Sequence, residues 1–241
     1  MKLIKYIIIA YLTLGLEGIS WAQDDCLNLL KQSHQKALDE LNNNEEIAFT
    51  LRVTNHYQTP DSKNISQNTE QSNVVVKGKK LHYNTPDIEL IQDEKKIVVV
   101  FKNEKRIYIY NQNKKIVNGI SGLALQTELL KNAQLKECVN VLELGKKLKK
   151  VTLKVPSNYV QKSMINEMVI WIDETSQEMI KSSSIYDSKS PIKKIDLEII
   201  KKEKVTGKSI IDDFTQSKII NKYPNFTVIE EDKKNTKNIY R

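Results

Sequence analysis

Between residues 74 and 110 the chain alternates short apolar segments with polar turns. The segments are Val74-Val75-Val76, Leu81-His82-Tyr83, Ile88-Glu89-Leu90-Ile91, Ile97-Val98-Val99-Val100-Phe101 and Ile107-Tyr108-Ile109-Tyr110. β-Branched and aromatic residues dominate them, and turn-forming clusters at 77–79, 84–86, 93–95 and 102–105 separate them, which predicts an antiparallel meander. Almost nothing in this stretch could carry out chemistry. A sheet so rich in apolar residues points to a surface that holds something.

Upstream, Leu27, Leu30, His34, Ala37, Leu38 and Leu41 fall on one stripe at helical spacing, with Asp24 or Asp25 placed to cap it. This predicts a helix over residues 26–42 whose stripe needs a partner surface. His34, on that stripe, reads as a partly buried histidine with one hydrogen bond. Residues 46–53 then alternate, with Ile47, Phe49, Leu51 and Val53 on one face and Ala48, Thr50 and Arg52 on the other, the pattern of a half-buried strand. Residues 55–72 are rich in Asn, Gln, Ser and Thr and read as a loop.

The period changes again between residues 118 and 144, where Leu123, Leu125, Leu129, Leu130, Ala133, Leu135, Val139 and Leu142 predict one or two short helices ended by Gly145. A second block of strands is expected over 152–156, 166–173, 178–186 and 192–200. Beyond it, Ile210, Ile211 and Phe214 are candidates to dock on a sheet edge, and residues 223–229 for a last strand. Helix, sheet, helix, sheet in that order is α+β, with antiparallel strands joined by short turns.

The first 22 residues have the form of a secretory signal: Lys2 and Lys5 at the start, an apolar core from Ile4 to Leu16, and small residues at Ser20 and Ala22. Cleavage would leave Gln23 first. The alternative, a membrane anchor, is disfavoured because Glu17 breaks a run already shorter than the roughly 20 residues that span a bilayer. The expected organisation is a signal peptide over 1–22, one domain over 23–208 and a C-terminal extension over 209–241, exported to the periplasm. In an oxidising compartment Cys26 and Cys138, the only cysteines, are either a disulfide or two separate buried thiols. A disulfide closing so long a loop contributes on the order of 4 kcal/mol in the chain-entropy model.

Net charge is +8, but arginine supplies only three of the 38 basic residues, Arg52, Arg106 and Arg241. Nucleic-acid surfaces combine arginine with interleaved aromatics on one face. A lysine-rich solvated exterior without that pattern speaks against a nucleic-acid partner. Chemistry is equally sparse. His34, His56 and His82 have no helical pairing and no cysteine nearby, so no metal site is expected. A Gly-x-Ser-x-Gly elbow, a phosphate loop and a Ser-x-x-Lys motif are all missing. The expectation is a non-catalytic protein without cofactor.

Several phrases in order resemble the periplasmic lipoprotein-carrier superfamily, the LolA/LolB-like proteins. They are the signal sequence and first helix, the strand Phe49-Thr50-Leu51-Arg52-Val53-Thr54, and Val76-Lys77-Gly78-Lys79-Lys80-Leu81-His82-Tyr83. To these add Gln92-Asp93-Glu94 in a turn before Ile97 to Phe101, and Val169-Ile170-Trp171-Ile172-Asp173-Glu174-Thr175. Together they span roughly residues 26–200. Where the carrier pattern has an arginine, this chain has Gly78 with Lys79 beside it.

The resemblance implies a curved antiparallel sheet, an open half-barrel, with covering helices, and an acyl chain, lipid or lipoprotein held in an apolar cavity between them. Burial contributes about 0.8 kcal/mol per methylene, so such a hollow needs no exact polar contact. The cavity candidates are Phe49, Leu51, Val53, Leu81, Tyr83, Leu90, Val99, Phe101, Trp171 and Leu197, with Trp171 assigned either to the cavity or to solid core. The competing expectation is an envelope interaction protein of the same fold, its core filled, docking a protein partner through a sheet edge or the 55–72 loop. Either form is expected to be a monomer.

Overall fold

A computed structural model describes residues 21–58, 64–111, 132–143 and 145–230. Helix α1 spans Trp21–Asn42, and strands β1 (Glu46–Tyr57), β2 (Ser66–Lys77), β3 (Lys80–Asn84), β4 (Ile88–Gln92), β5 (Lys96–Phe101) and β6 (Arg106–Asn111) follow. Next come β7 (Gln134–Glu143), β8 (Lys146–Lys154), helix α2 (Ser157–Ser163), β9 (Ile165–Asp173), β10 (Glu178–Tyr186) and β11 (Ile192–Lys204). A 3-10 turn at Ile211–Asp213, helix α3 (Gln216–Lys222) and β12 (Thr227–Glu230) complete the described chain. The strands hydrogen-bond in the order β12-β6-β5-β4-β3-β2-β1-β11-β10-β9-β8-β7, an open sheet whose end strands are β12 and β7. Pairing is antiparallel from β2 to β6 and from β7 to β11, and β12 joins β6 in parallel. The fold is α+β with a mostly antiparallel open sheet.

The described residues divide into two compact units, one drawn from 21–40, 51–71 and 132–200, the other from 41–50, 72–111 and 201–230. In the first unit, Leu30 of α1 packs with Val53, Val151, Leu153, Ile170 and Ile195. Cys26, Leu27, His34 and Ala37 are buried on the same stripe. Burying a leucine such as Leu30 contributes about 2 kcal/mol. Two polar ties hold the helix: Lys36 Nζ donates to the Ser176 carbonyl at 2.9 Å and pairs with Glu178 at 3.2 Å, and Gln177 Nε2 donates to Gln32 Oε1 at 3.0 Å. A disulfide joins Cys26 of α1 to Cys138 of β7, with Cα atoms 6.4 Å apart.

In the second unit the β3–β6 meander has two faces. The register His82↔Ile91↔Val98↔Ile109 puts these four on one side, together with Glu89, Val100 and Ile107. That side packs on Ile219 of α3, with Phe214, Tyr223 and Phe226 around it. The register Tyr83↔Leu90↔Val99↔Tyr108 defines the other side. The turns follow their chemistry. Asp93 Oδ1 accepts from the Lys95 and Lys96 amides at 2.7 and 2.8 Å, and Asp173 Oδ1 from Thr175 and Ser176 at 2.9 and 3.3 Å. Gly78 turns β2 into β3 at φ 54°, where an added Cβ would lie 2.9 Å from Asn44 Oδ1.

Several expectations need correction. Of residues 55–72, expected as a loop, 55–57 continue β1 and 66–72 belong to β2, while 59–63 lie outside the described residues. The Thr54 and Thr69 hydroxyls lie 2.9 Å apart, joining β1 to the part of β2 that is polar on both faces. Of the segment expected to be helical, 118–131 lies outside the described residues, and Gln134–Glu143 is strand. Leu135, Val139 and Leu142 imitate helical spacing because β7 pairs on one side only, and a bulge between Leu135 and Glu137 shifts the alternation. Helix α2, after Pro156, was not anticipated. The expected signal sequence lies outside the described residues except for Trp21 and Ala22, which belong to α1.

Candidate ligand-binding faces

Strand alternation sorts the candidate residues. In the first unit Leu51 and Val53 of β1, and Ile195 and Leu197 of β11, are buried. Val53 and Ile195 share the core that receives Leu30. The interleaved positions point the other way and carry the polar chemistry. Asp196 accepts from His56 Nε2 at 2.8 Å and from the Ser183 hydroxyl, and pairs with Lys194 at 2.8 Å. Burial raises its pKa, but the hydrogen bonds from Lys194, Ser183 and His56 outweigh that and leave it below the usual range. Arg52 donates to Glu198 at 2.7 Å on the same side. The α1-facing surface of these strands is therefore largely apolar.

Trp171 departs from the other candidates. It alternates with Ile170 and Ile172, which lie in the core, so it stands on the polar side of β9. There it is half-buried, with Lys181 Nζ 4.7 Å and Lys150 Nζ 6.0 Å from its ring.

In the second unit Leu81, Tyr83, Leu90 and Val99 are buried on the face turned away from α3, and half-buried Phe101 on that side meets Tyr108 edge-on with ring centres 5.6 Å apart. Phe49 is also buried, and strand parity turns it away from Glu46. Glu46 anchors the C-terminal segment: it accepts from the Ile210 and Ile211 amides at 2.6 and 2.9 Å and from the Ser209 hydroxyl at 2.5 Å. Burial opposes ionisation of Glu46, yet these three bonds and Lys77 keep its pKa below the ordinary value.

The opposite face of the meander holds a polar cluster that the sequence did not reveal. Glu89, completely buried, accepts from His82 Nε2 at 2.9 Å, from Lys222 Nζ at 2.8 and 3.1 Å, and from the Tyr223 hydroxyl at 2.6 Å. His82 stacks on Phe214 with ring centroids 3.5 Å apart. Burial works against a charged Glu89, but the hydrogen bonds win and hold its pKa at about 2. Tyr223 is pushed above the normal tyrosine range by burial and by Glu89. A carboxylate so acidic is a poor general base, and a tyrosine held protonated is no nucleophile. The cluster therefore fastens residues 214–223 to β3 and β4. Only Glu89 itself, a lone charge in an apolar strand, could have hinted at it, because its partners Lys222 and Tyr223 are far away in sequence.

Among the described residues, His34 and Ser72 are buried polar side chains without a hydrogen-bond partner. His34, 1% exposed, has neither ring nitrogen bonded, and Ser72 Oγ in the second unit is likewise unbonded. The expectation of one hydrogen bond for His34 is thus corrected. Burial alone lowers its pKa to about 3, so the ring is neutral. Among the described residues no cluster of His, Cys, Asp and Glu could hold a metal ion, and no helix is long and apolar enough to cross a membrane.

No protein-family model and no curated protein matches the chain. Solved structures that it is similar to include an uncharacterised conserved protein from Thermus thermophilus, at 11% identity over 83% of this chain and 100% of that one, TM-score 0.47. Another is the lipoprotein LppX of Mycobacterium tuberculosis, at 15% identity over 76% of this chain and 98% of that one, TM-score 0.47. A LolA superfamily protein from Nitrosomonas europaea is similar at 10% identity over 76% and 97% of the two chains, TM-score 0.32. No residue here inherits a role from them.

Proposed function

We propose that this chain is an exported, non-catalytic envelope protein that holds an acyl chain, as lipid or lipoprotein, against an apolar sheet face. The observation that carries this reading is the segregation of chemistry by strand face. Asp196, His56 and Arg52 occupy one side, and Leu51, Val53, Ile195 and Leu197 make the other largely apolar, with Leu30 of α1 packed on it and the small hydroxyls of Ser182 and Ser184 in register with Leu197 and Ile195. Such a surface recognises methylenes and little else. In the second unit Phe49, Leu81, Tyr83, Leu90, Val99 and Phe101 would serve in the same way. The protein acts as a monomer in the periplasm.

The test is to purify the mature protein without detergent, extract it with organic solvent and identify co-purifying lipid by mass spectrometry. Stoichiometric acyl species are expected. Clean protein that also takes up no fluorescent acyl probe would refute the reading.

One observation favours a second function, docking of an envelope protein by strand addition. End strand β7 exposes Leu142 to 76% of its surface. Loss of a partner on Leu142→Lys substitution, with acyl binding absent, would establish it.

A further inference from the structure

An orphaned donor or acceptor in a protein interior is costly, at about 1–3 kcal/mol each, and native structures almost always satisfy such groups. His34 has two. It lies one turn beyond Leu30 on the buried stripe of α1, with Ala37 a turn further on, and its ring reaches no protein hydrogen-bonding group. Leucine at this position would fill the stripe at no such cost. The imidazole is therefore surplus to packing and short of a partner, as a residue reserved for a bound molecule would be.

The chemistry of the ring restricts that molecule. A neutral imidazole offers one N–H donor and, on the other nitrogen, one lone pair. A free fatty-acid anion brings a full charge into a largely apolar surrounding and finds in the His34 ring a single donor, far too little to replace its hydration. An ester carbonyl carries no charge and needs one donor. A neighbouring hydroxyl can give its proton to the second nitrogen. Glyceride-like acyl esters have both.

Building on the acyl-holding function above, we propose that His34 is the polar anchor of the ligand, and that the ligand is an uncharged acyl ester bearing a free hydroxyl. The acyl chain lies along the apolar face and supplies the affinity. His34 sets depth and selects ester over acid. Its low pKa keeps the ring neutral throughout the physiological range.

The test is displacement of the apolar dye phenylnaphthylamine by monopalmitoylglycerol and by palmitate, with wild type, His34→Leu and His34→Gln. Wild type should prefer the ester. His34→Leu should bind the ester roughly 3- to 10-fold more weakly, the loss of one buried hydrogen bond, with dye binding unchanged. His34→Gln keeps a donor and an acceptor and should recover part of the loss. Equal ester binding by wild type and His34→Leu would overturn this inference and leave the acyl-holding function standing. A wild type that binds neither dye nor lipid would remove that function itself. If His34→Leu does not fold, the ring nitrogen resonances of isotope-labelled histidine decide the matter. Monopalmitoylglycerol should move those of His34 and leave His56 and His82 in place, and an unmoved His34 would refute the proposal.

Discussion

Lys222 grips Glu89 through both carboxylate oxygens, at 2.8 and 3.1 Å, although 133 residues separate the two. The lysine is about half exposed and the carboxylate completely buried, so the pair fixes the end of α3 to the meander from the solvent side. Glu89→Ala would strand the His82 ring and the Tyr223 hydroxyl without their acceptor. A loss of about 3 kcal/mol is expected in urea unfolding, and roughly half that for Glu89→Gln, which keeps the shape and one acceptor.

Acid should act in two stages, and the first belongs to His34. Its folded pKa of about 3 lies below the ordinary 6.5, so the unfolded chain binds this proton more readily. Stability is complete above pH 6.5 and falls by about 1.4 kcal/mol per pH unit as the pH drops toward 3. Unfolding midpoints measured across that range should slope for wild type and flatten for His34→Leu.

The second stage belongs to Glu89. Its contribution is full above its ordinary value of 4.5 and is lost as pH falls to about 2, a span worth about 3 kcal/mol. Glu89→Gln should remove the steepening below pH 4.5 and keep the slope above it. An unchanged profile would show that the carboxylate is not held as described.

Glu46 controls the start of the C-terminal segment, because its carboxylate takes up the Ile210 and Ile211 amides. Glu46→Ala should cost about 2 kcal/mol and strip hydrogen-exchange protection from Ile211. Protection in β4 and β5 should survive.

Gly78→Ala places a methyl group 2.9 Å from Asn44 Oδ1 at a positive φ of 54°. A loss of about 1–2 kcal/mol is expected from the backbone and the contact together. Adding Asn44→Gly, which tolerates the φ of 55° at that position, should return only the contact part.

Where one strand face is buried and the other wet, pattern reveals structure, as at Ile47, Phe49, Leu51 and Val53, all buried at alternate positions. The helical stripe through Leu27, Leu30, His34 and Ala37 was legible for the same reason. Residues 66–71 of β2 hid as a loop because neither face carries apolar side chains, and they lie beyond the stretch of β2 that pairs with β3, leaving β1 as the neighbouring strand. Strand β7, paired on one side, kept a spacing that suits a helix as well as a strand. The Glu89 cluster was illegible because charge partners 133 and 134 residues away leave no local trace. His34 was singled out correctly by position, but the missing partner for its ring belongs to three-dimensional packing.

The bridge between Cys26 and Cys138, 112 residues apart, encircles every residue of β1 to β6. A protease that nicks the chain once anywhere inside that ring frees nothing. The cut molecule keeps its mass until a reductant is added, and only then separates into two fragments. A single cut would thus leave this protein assembled, and intact on a non-reducing gel.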